Sequence, residues 1–182
     1  YTFLHTLSLH DALPISCYPF EYGTVDGRSY SRHADAEIAA YADHPNIRYF
    51  RQDENYGKTL EYDIALHNPN CKQIIVEGMS NRDELMDLMG LSTLDELKNR
   101  LRRSVENERI KTAIDANTSW NDEEKMKAII ASRYLNSVSK GGNALTLSLV
   151  LEENRKRKKD DEDKFTFVVP QYIEEALRWL LS

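Results

Sequence analysis

Residues 46–67, NIRYFRQDENYGKTLEYDIALH, decide the expected fold. Residues 47–50 alternate β-forming and polar side chains, which predicts a short strand. The polar cluster DENYG at 53–57 is typical of a turn. Apolar residues at helical spacing over 59–67 then favour a helix. The stretch therefore predicts a strand, a turn and a helix in succession.

A second strand is predicted at residues 72–77, because Ile74, Ile75 and Val76 form a continuous apolar run of the kind found in buried parallel strands. Strand, helix and strand would make a right-handed βαβ unit. After Leu91 the apolar spacing becomes almost wholly helical. The sequence thus predicts an α/β segment at 17–90, with a partial parallel sheet, followed by an α-helical C-terminal subdomain at 91–182.

In this helical part, residues 143–154 are predicted to form one helix. Leu145, Leu149 and Val150 are expected to face the core. The preceding segment, Ser139-Lys140-Gly141-Gly142, is expected to end one helix before the next begins.

The first sixteen residues, YTFLHTLSLHDALPIS, are treated separately. They lack the basic start and the small-residue cleavage site of a signal peptide. They resemble the translation of a sequencing-library adapter, so residues 1–16 are interpreted as a non-native artefact and His5, His10 and Asp11 are not read as a metal triplet. The native chain is then expected to begin near Cys17, as an N-terminally truncated fragment.

The composition limits the partners that can be expected. The net charge of -6 argues against binding a polyanion by bulk attraction, so any contact with nucleic acid must use a local basic face. The two cysteines, Cys17 and Cys71, lack metal-binding spacing and fit a reducing, cytoplasmic compartment. No apolar run approaches the length of a membrane span, so no membrane partner is expected.

Glu61 is the first candidate site residue. It lies in the first turn of a helix that is predicted to follow a strand, and sites in α/β proteins are built at such sheet edges. We expect Glu61 to be one ligand of a metal ion. The alternative is a carboxylate that is stabilised by the positive end of its helix.

A second candidate is Glu77, in the sequence IIVEG at 74–78. A buried strand ending in Glu-Gly resembles the opening motif of Toprim domains, a metal-binding module of nucleases, primases and topoisomerases. That module also needs an Asp-x-Asp pair, because two carboxylate clusters hold two metals against the phosphate. Residues 161–163 read Asp-Glu-Asp but lie in a charge run. Glu77 is therefore interpreted as a structural strand end.

Three further blocks carry a longer resemblance: KTLEYDIAL at 58–66, NSVSKGGNAL at 136–145 and FVVPQYIEEALRW at 167–179. In this order they are similar to the C-terminal part of the Toprim domain, with the helices after it, of OLD-family ATP-dependent endonucleases. The resemblance implies a partial Toprim-like sheet. It also implies a parent protein that cleaves DNA with a divalent metal and ATP.

The resemblance assigns two residues. The Glu of the Thr-Leu-Glu block is a metal ligand and falls on Glu61, and the Lys of the Lys-Gly block is catalytic and falls on Lys140. The implied metal is Mg²⁺ or Mn²⁺, which prefer oxygen ligands. Lys140, next to Gly141 and Gly142, would stabilise charge on the scissile phosphate. The alternative for Lys140 is an ordinary cation at a helix C-terminus that glycine caps.

Other parts of the family pattern are missing from this sequence. The first Glu motif, the Asp-x-Asp motif and the ATPase are expected upstream of Cys17, and no GxxxxGK[ST] loop occurs here. ATP, and a homo-oligomeric contact, would belong to that ATPase domain, so the chain alone is expected to be inactive on DNA. The rival hypothesis is a non-catalytic helical protein-interaction module whose acids are only surface charge.

Overall fold

The computed structural model describes residues 24–25, 28–29, 36–52 and 59–182. These residues fall into two compact units. The larger unit comprises Leu60–Val168, and the smaller contains the described residues up to Thr59 together with Val169–Ser182. The interpretation of residues 1–16 and the predicted turn at 53–57 concern residues outside those described.

Helices dominate the described chain. In the larger unit they are α1 (Leu60–His67), a 3-10 turn (Lys72–Ile74), α2 (Arg82–Leu88), α3 (Leu94–Arg100), α4 (Val105–Ala116), α5 (Asp122–Leu135) and α6 (Lys140–Lys156). In the smaller unit, residues 36–40 are helical, α7 is Gln171–Leu180, and β1 (Thr24–Val25) pairs antiparallel with β2 (Arg28–Ser29).

The predicted Toprim-like parallel sheet is wrong for the described residues, whose one strand pairing is the short antiparallel β1–β2. Ile74, Ile75 and Val76 are buried as expected, but the chain turns there. The N–H of Ile74 donates to Cys71 O at 3.2 Å, and that of Ile75 to Lys72 O at 3.0 Å. These local bonds take the place of a ladder. A short apolar run fits burial in a turn as well as burial in a strand.

Residues 47–50 form no strand pair either. Their aromatic side chains contact other aromatic rings of the smaller unit. The Tyr49 ring lies 5.5 Å from that of Tyr41, and the Phe50 ring 6.1 Å from that of Trp179. The alternation of β-forming residues therefore corresponds to side-chain packing without a sheet.

Helix α5 is the centre of the larger unit, since α1, α2, α3 and α4 all contact it. It begins with a capping box: Asn121 Oδ1 accepts from Glu124 N at 3.0 Å, and Glu124 Oε2 accepts from Asn121 N at 2.8 Å. Such a box satisfies N–H groups that a helix start leaves open. A helix that is buried on most sides belongs in a core. The buried residues of α5 are Ala128, Ile129, Ile130, Ala131, Ser132, Arg133 and Tyr134.

A buried ion pair joins α2 to α5. Both Nε and Nη2 of Arg133 donate to Glu84 Oε2, at 2.9 and 2.7 Å. The Glu84 side chain is 1% exposed and that of Arg133 is 9% exposed. The second oxygen, Glu84 Oε1, accepts from Arg102 N at 2.7 Å and from Asn107 Nδ2 at 3.3 Å. One carboxylate therefore ties α2, α4, α5 and the α3–α4 connection together.

Helix α6 turns a different face inward from the one expected. Leu145 and Leu149, predicted to be buried, are 66% and 59% exposed. The buried positions are Asn143, Leu147 and Asn154, which recur at helical spacing on another side. Two asparagines are accepted on the buried face because both make hydrogen bonds there, which an apolar pattern does not reveal.

Two asparagine side chains hold the extended segment 165–168. Asn154 Nδ2 donates to Phe165 O at 2.8 Å, and Phe165 N donates to Asn154 Oδ1 at 3.0 Å. Asn68 makes the same pair of bonds to Val168, at 2.8 and 2.7 Å. The segment thus has the backbone partners that an adjacent strand would otherwise supply.

The ion pair predicts the effect of removing one partner. Replacing Arg133 by Met leaves the Glu84 carboxylate buried without its cation, so we expect a loss of about 3–5 kcal/mol in the free energy of unfolding, measured by urea denaturation. The matched control is Arg100→Met, because Arg100 pairs with Asp87 at the surface and its loss leaves stability nearly unchanged. Equal midpoints for the two variants would contradict the structural role of the pair.

Candidate functional site

Glu61 lies in the first turn of α1, as the sequence predicts. Its side chain is half-buried, and its Oε2 atom is enclosed without a hydrogen-bond donor among the described residues. A buried acceptor that lacks a donor is destabilising by about 1–3 kcal/mol, and more when it is charged. This oxygen is therefore a natural position for a cation or for a donor from another molecule.

Tyr134 of α5 interacts electrostatically with Glu61. Its side chain is 2% exposed, and its hydroxyl donates to Ile74 O at 3.2 Å. Burial raises the pKa of Tyr134 to about 12, and the nearby Glu61 and Cys71 groups act in the same direction. At neutral pH the phenol is therefore protonated, and its proton is used in the hydrogen bond to the Ile74 carbonyl.

Cys71 also interacts electrostatically with Tyr134. Burial raises the pKa of its thiol, and Sγ donates to Gln73 Oε1 at 3.5 Å. Since the thiolate is the nucleophilic form, a raised pKa makes Cys71 a poor nucleophile. The Glu61–Tyr134–Cys71 cluster, defined by these three residues, thus offers one carboxylate oxygen and no activated nucleophile.

The other acids and histidines of α1 do not converge on Glu61. Asp63 is buried but is two positions away, on another side of the helix. Partial desolvation, and then the charge of Lys127, lowers the pKa of His67, which is therefore neutral at pH 7. Among the residues that the structure describes, no three His, Cys, Asp or Glu side chains are grouped to hold a metal ion.

Lys140 is the first residue of α6, and Gly141 and Gly142 lie in its first turn. The connection between α5 and α6 is formed by residues 136–139. The interpretation of Lys140 as a cation at the end of the preceding helix is therefore wrong. The start of α6 is anchored by Asn143, whose Nδ2 donates to Glu77 O at 3.3 Å and whose Oδ1 accepts from Ser139 N.

The Glu77-Gly78 pair lies in a turn and does not end a strand, contrary to expectation. Gly78 has φ +87°, a value that favours glycine. Ser80 N donates to Ser137 O at 3.0 Å, so this turn packs beside the start of α6. The Glu77 side chain is exposed. The Asn143–Glu77 and Ser80–Ser137 hydrogen bonds thus join the Glu-Gly turn to the segment that contains Lys140 and Gly141.

Comparisons with known family models, curated proteins and solved structures return no match to this chain. Within its described part, no helix has the length and apolar character needed to cross a membrane. The sequence blocks and the surroundings of Glu61 are therefore the features of this chain that bear on its function.

The sequence reasoning missed Tyr134 and Cys71 as neighbours of Glu61. Their proximity comes from the packing of α1 on α5 and from the turn at Lys72–Ile74. No local pattern in the sequence carries that information.

The raised pKa of Tyr134 predicts how stability depends on alkaline pH. In the unfolded chain the Tyr134 phenol has its ordinary pKa of 10. Its contribution to the free energy of unfolding is therefore fully present below pH 10 and is lost as the pH rises towards 12. We expect Tyr134→Phe to remove this alkaline loss. At pH 7 it should lower the free energy of unfolding by about 1–3 kcal/mol, because Ile74 O loses its donor.

The measurement is urea denaturation at pH 7, 10 and 11.5, with Glu61→Gln as the companion variant. Removing the Glu61 charge should move the pKa of Tyr134 part of the way towards 10, because burial remains the main cause. Absorbance at 295 nm, taken as the difference from Tyr134→Phe, follows that pKa. An unchanged alkaline loss in Tyr134→Phe would contradict the assignment.

Proposed function

We propose that this chain contributes the Glu61 carboxylate to a divalent-metal site for hydrolysis of phosphodiester bonds in DNA. The observation that carries the proposal is the enclosed Glu61 Oε2 without a donor among the described residues. A divalent cation would satisfy that oxygen and balance its charge. The three sequence blocks at 58–66, 136–145 and 167–179 support the same assignment.

The donor chemistry at Glu61 fits Mg²⁺ or Mn²⁺. Both ions prefer oxygen ligands, and Mg²⁺ commonly takes only one or two carboxylates, with waters and substrate phosphates as its other ligands. The half-buried Glu61 side chain keeps contact with solvent, through which a hydrated ion can arrive. When bound, the metal supplies Lewis acidity that polarises a phosphate oxygen.

Lys140 has the second role in this proposal. It supplies positive charge to the scissile phosphate, from a helix start whose dipole also favours an anion. Its assignment comes from the Lys-Gly block. The remaining acidic ligands, and the ATPase with its ATP, belong to residues beyond those described here or to another polypeptide. The parent activity is that of an ATP-dependent DNA endonuclease.

A second candidate function is a non-catalytic helical protein-interaction module. The observation that favours it is the exposure of Leu145 and Leu149 on α6, at 66% and 59%. In this case Glu61 would be a surface acid with no dependence on metal.

Metal binding to the full chain separates the two functions. We expect Mn²⁺ to bind weakly to the wild-type chain, followed by its electron paramagnetic resonance signal during titration. Glu61→Gln, which is nearly isosteric, should weaken binding at least about tenfold, the lower end of the loss caused by even an indirect ligand change. The matched control is Glu77→Gln, an exposed glutamate in the turn beside α6, which should leave binding unchanged.

Equal Mn²⁺ affinity in wild type and Glu61→Gln would exclude Glu61 as a ligand and favour the interaction module. Nicking of supercoiled plasmid is the second measurement. We expect none from this chain alone with Mg²⁺ or Mn²⁺. Nicking that depends on Glu61 would show that the chain already holds a complete site.

A further inference from the structure

The connection between α3 and α4 presents two adjacent arginines, Arg102 and Arg103, both of which are exposed. Within the part of the chain that the structure describes, neither guanidinium forms an ion pair or a hydrogen bond. The surrounding stretch, residues 98–112, contains six basic residues and two acidic ones, although the whole chain has a net charge of -6. These two arginines therefore lie in a region whose charge is opposite to that of the chain.

The other cations of residues 98–112 are close to carboxylates. The ion pairs there are Lys98–Asp115, Arg100–Asp87 and Lys111–Glu108. The remaining cation, Arg109, faces Glu106. The pKa of Glu106 is lowered by a hydrogen bond from its own backbone N–H, by the Ser104 hydroxyl and by the charge of Arg109. Arg102 and Arg103 are thus the charges of this stretch that remain available to an anion from outside.

The buried network around Glu84 fixes the backbone that carries the two arginines. Arg102 N donates to Glu84 Oε1 at 2.7 Å, and Arg102 O accepts from Asn107 Nδ2 at 2.9 Å. Ser104 Oγ accepts from Asn107 N at 3.1 Å and caps α4. Both arginine side chains therefore extend from a backbone that is already ordered, which reduces the entropy lost when a partner binds.

The basic run at 155–159, RKRKK, is more conspicuous in the sequence but is neutralised by its neighbours. Residues 152–164 contain six basic and six acidic residues. The ion pairs there are Glu152–Arg155, Glu152–Lys156, Arg157–Asp161 and Arg157–Asp163. Contact with nucleic acid requires a local basic face in a chain of net negative charge. The stretch that contains Arg102 and Arg103 fits this requirement better than residues 152–164 do.

We propose that Arg102 and Arg103 bind phosphates of the DNA backbone. The choice of DNA as the anion rests on the proposed function. A guanidinium group can donate two parallel hydrogen bonds to a phosphate and is weakly hydrated, so it binds phosphate well. Phosphates follow one another about every 3.4 Å of helix axis along a DNA strand, so adjacent arginines can each contact one. Such contacts position the duplex without reading its sequence.

The surface beside Arg103 has room for such a backbone. Arg103 and Arg109 border an open cavity of about 700 Å³ along α4, together with Ser104, Val105, Glu108 and Thr112. The acid in this lining, Glu108, is paired with Lys111 at 3.1 Å. A phosphodiester chain can therefore approach Arg103 from this side.

Fluorescence anisotropy with a labelled DNA duplex tests the proposal, with the full chain in EDTA so that no metal contributes. We expect the double variant Arg102→Gln/Arg103→Gln to bind more weakly and with less dependence on salt. Each phosphate contact adds about 0.9 to the slope of log affinity against log salt, so the slope should become shallower by about 1.8. Raising the salt from about 50 to 200 mM should then cost the wild type about tenfold more affinity than the double variant.

The matched control is Lys158→Gln/Lys159→Gln, which removes the same charge from two exposed lysines of the neutralised run. It should bind the duplex as the wild type does. An equal loss of affinity in both double variants would show that only the net charge matters and would overturn the assignment. Urea denaturation checks that each variant is folded, and the backbone bonds of Arg102 do not use the replaced side chain.

A competition experiment tests the class of partner. Unlabelled duplex should displace the labelled duplex more effectively than polyglutamate does at the same concentration of charge. Equal competition by polyglutamate would overturn the choice of DNA and assign the surface to an acidic polypeptide.

Mn²⁺ binding to the arginine double variant separates this surface from the metal site. We expect the wild-type affinity for Mn²⁺, because neither arginine is assigned to the metal. Weaker duplex binding with unchanged Mn²⁺ affinity supports the surface. Mn²⁺ affinity that does not depend on Glu61, with the arginine effect intact, would remove the metal site alone, whereas an arginine double variant that binds DNA like the wild type would remove this surface alone.

Discussion

The larger unit depends on the buried Glu84–Arg133 ion pair. Two charges away from water are tolerated only when nearly every donor and acceptor finds a partner, and here one carboxylate accepts from Arg133, Arg102 and Asn107. This requirement fixes the rotation of α5 about its axis. Because successive helix residues differ by about 100°, directing Arg133 towards α2 and α4 directs Tyr134 towards another side. On that side the Tyr134 hydroxyl donates to Ile74 O, and Tyr134 lies within electrostatic reach of Glu61.

Helix starts have local causes. Thr93 accepts from Glu96 N at 3.3 Å at the start of α3, and Asn121 opens α5; in both cases a glutamate follows three residues later. Capping depends on residues three apart, so a pattern can reveal it. The run Ile74–Val76 shows the opposite case. Its burial was predictable from its apolar residues. Whether the run forms a turn or a strand depends on whether a neighbouring strand exists, and three apolar residues carry no information about that.

The candidate site was only partly predictable for the same reason. Glu61 was placed correctly in a first turn, whereas its neighbour Tyr134 comes from a distant helix. On α6 the apolar pattern selected Leu145 and Leu149 as core, yet Asn143 and Asn154 take the inward face because hydrogen bonds fix them there. The two hydrogen-bonded asparagines therefore decide which face of α6 is buried, and Leu145 and Leu149 lie on the exposed side.

The orphan oxygen at Glu61 differs from the other unpaired acceptors of the described chain. Asn107 Oδ1 and Ser132 Oγ also lack partners there, but both side chains are completely enclosed, so no solute can reach them. The Glu61 side chain, by contrast, is only half-buried, although its Oε2 atom is enclosed. Its helix is held in place by the buried Tyr62 and Ala65, so the carboxylate cannot escape by moving α1. An enclosed carboxylate oxygen without a donor in the described chain, on a half-buried side chain, is the observation on which the proposed metal site depends.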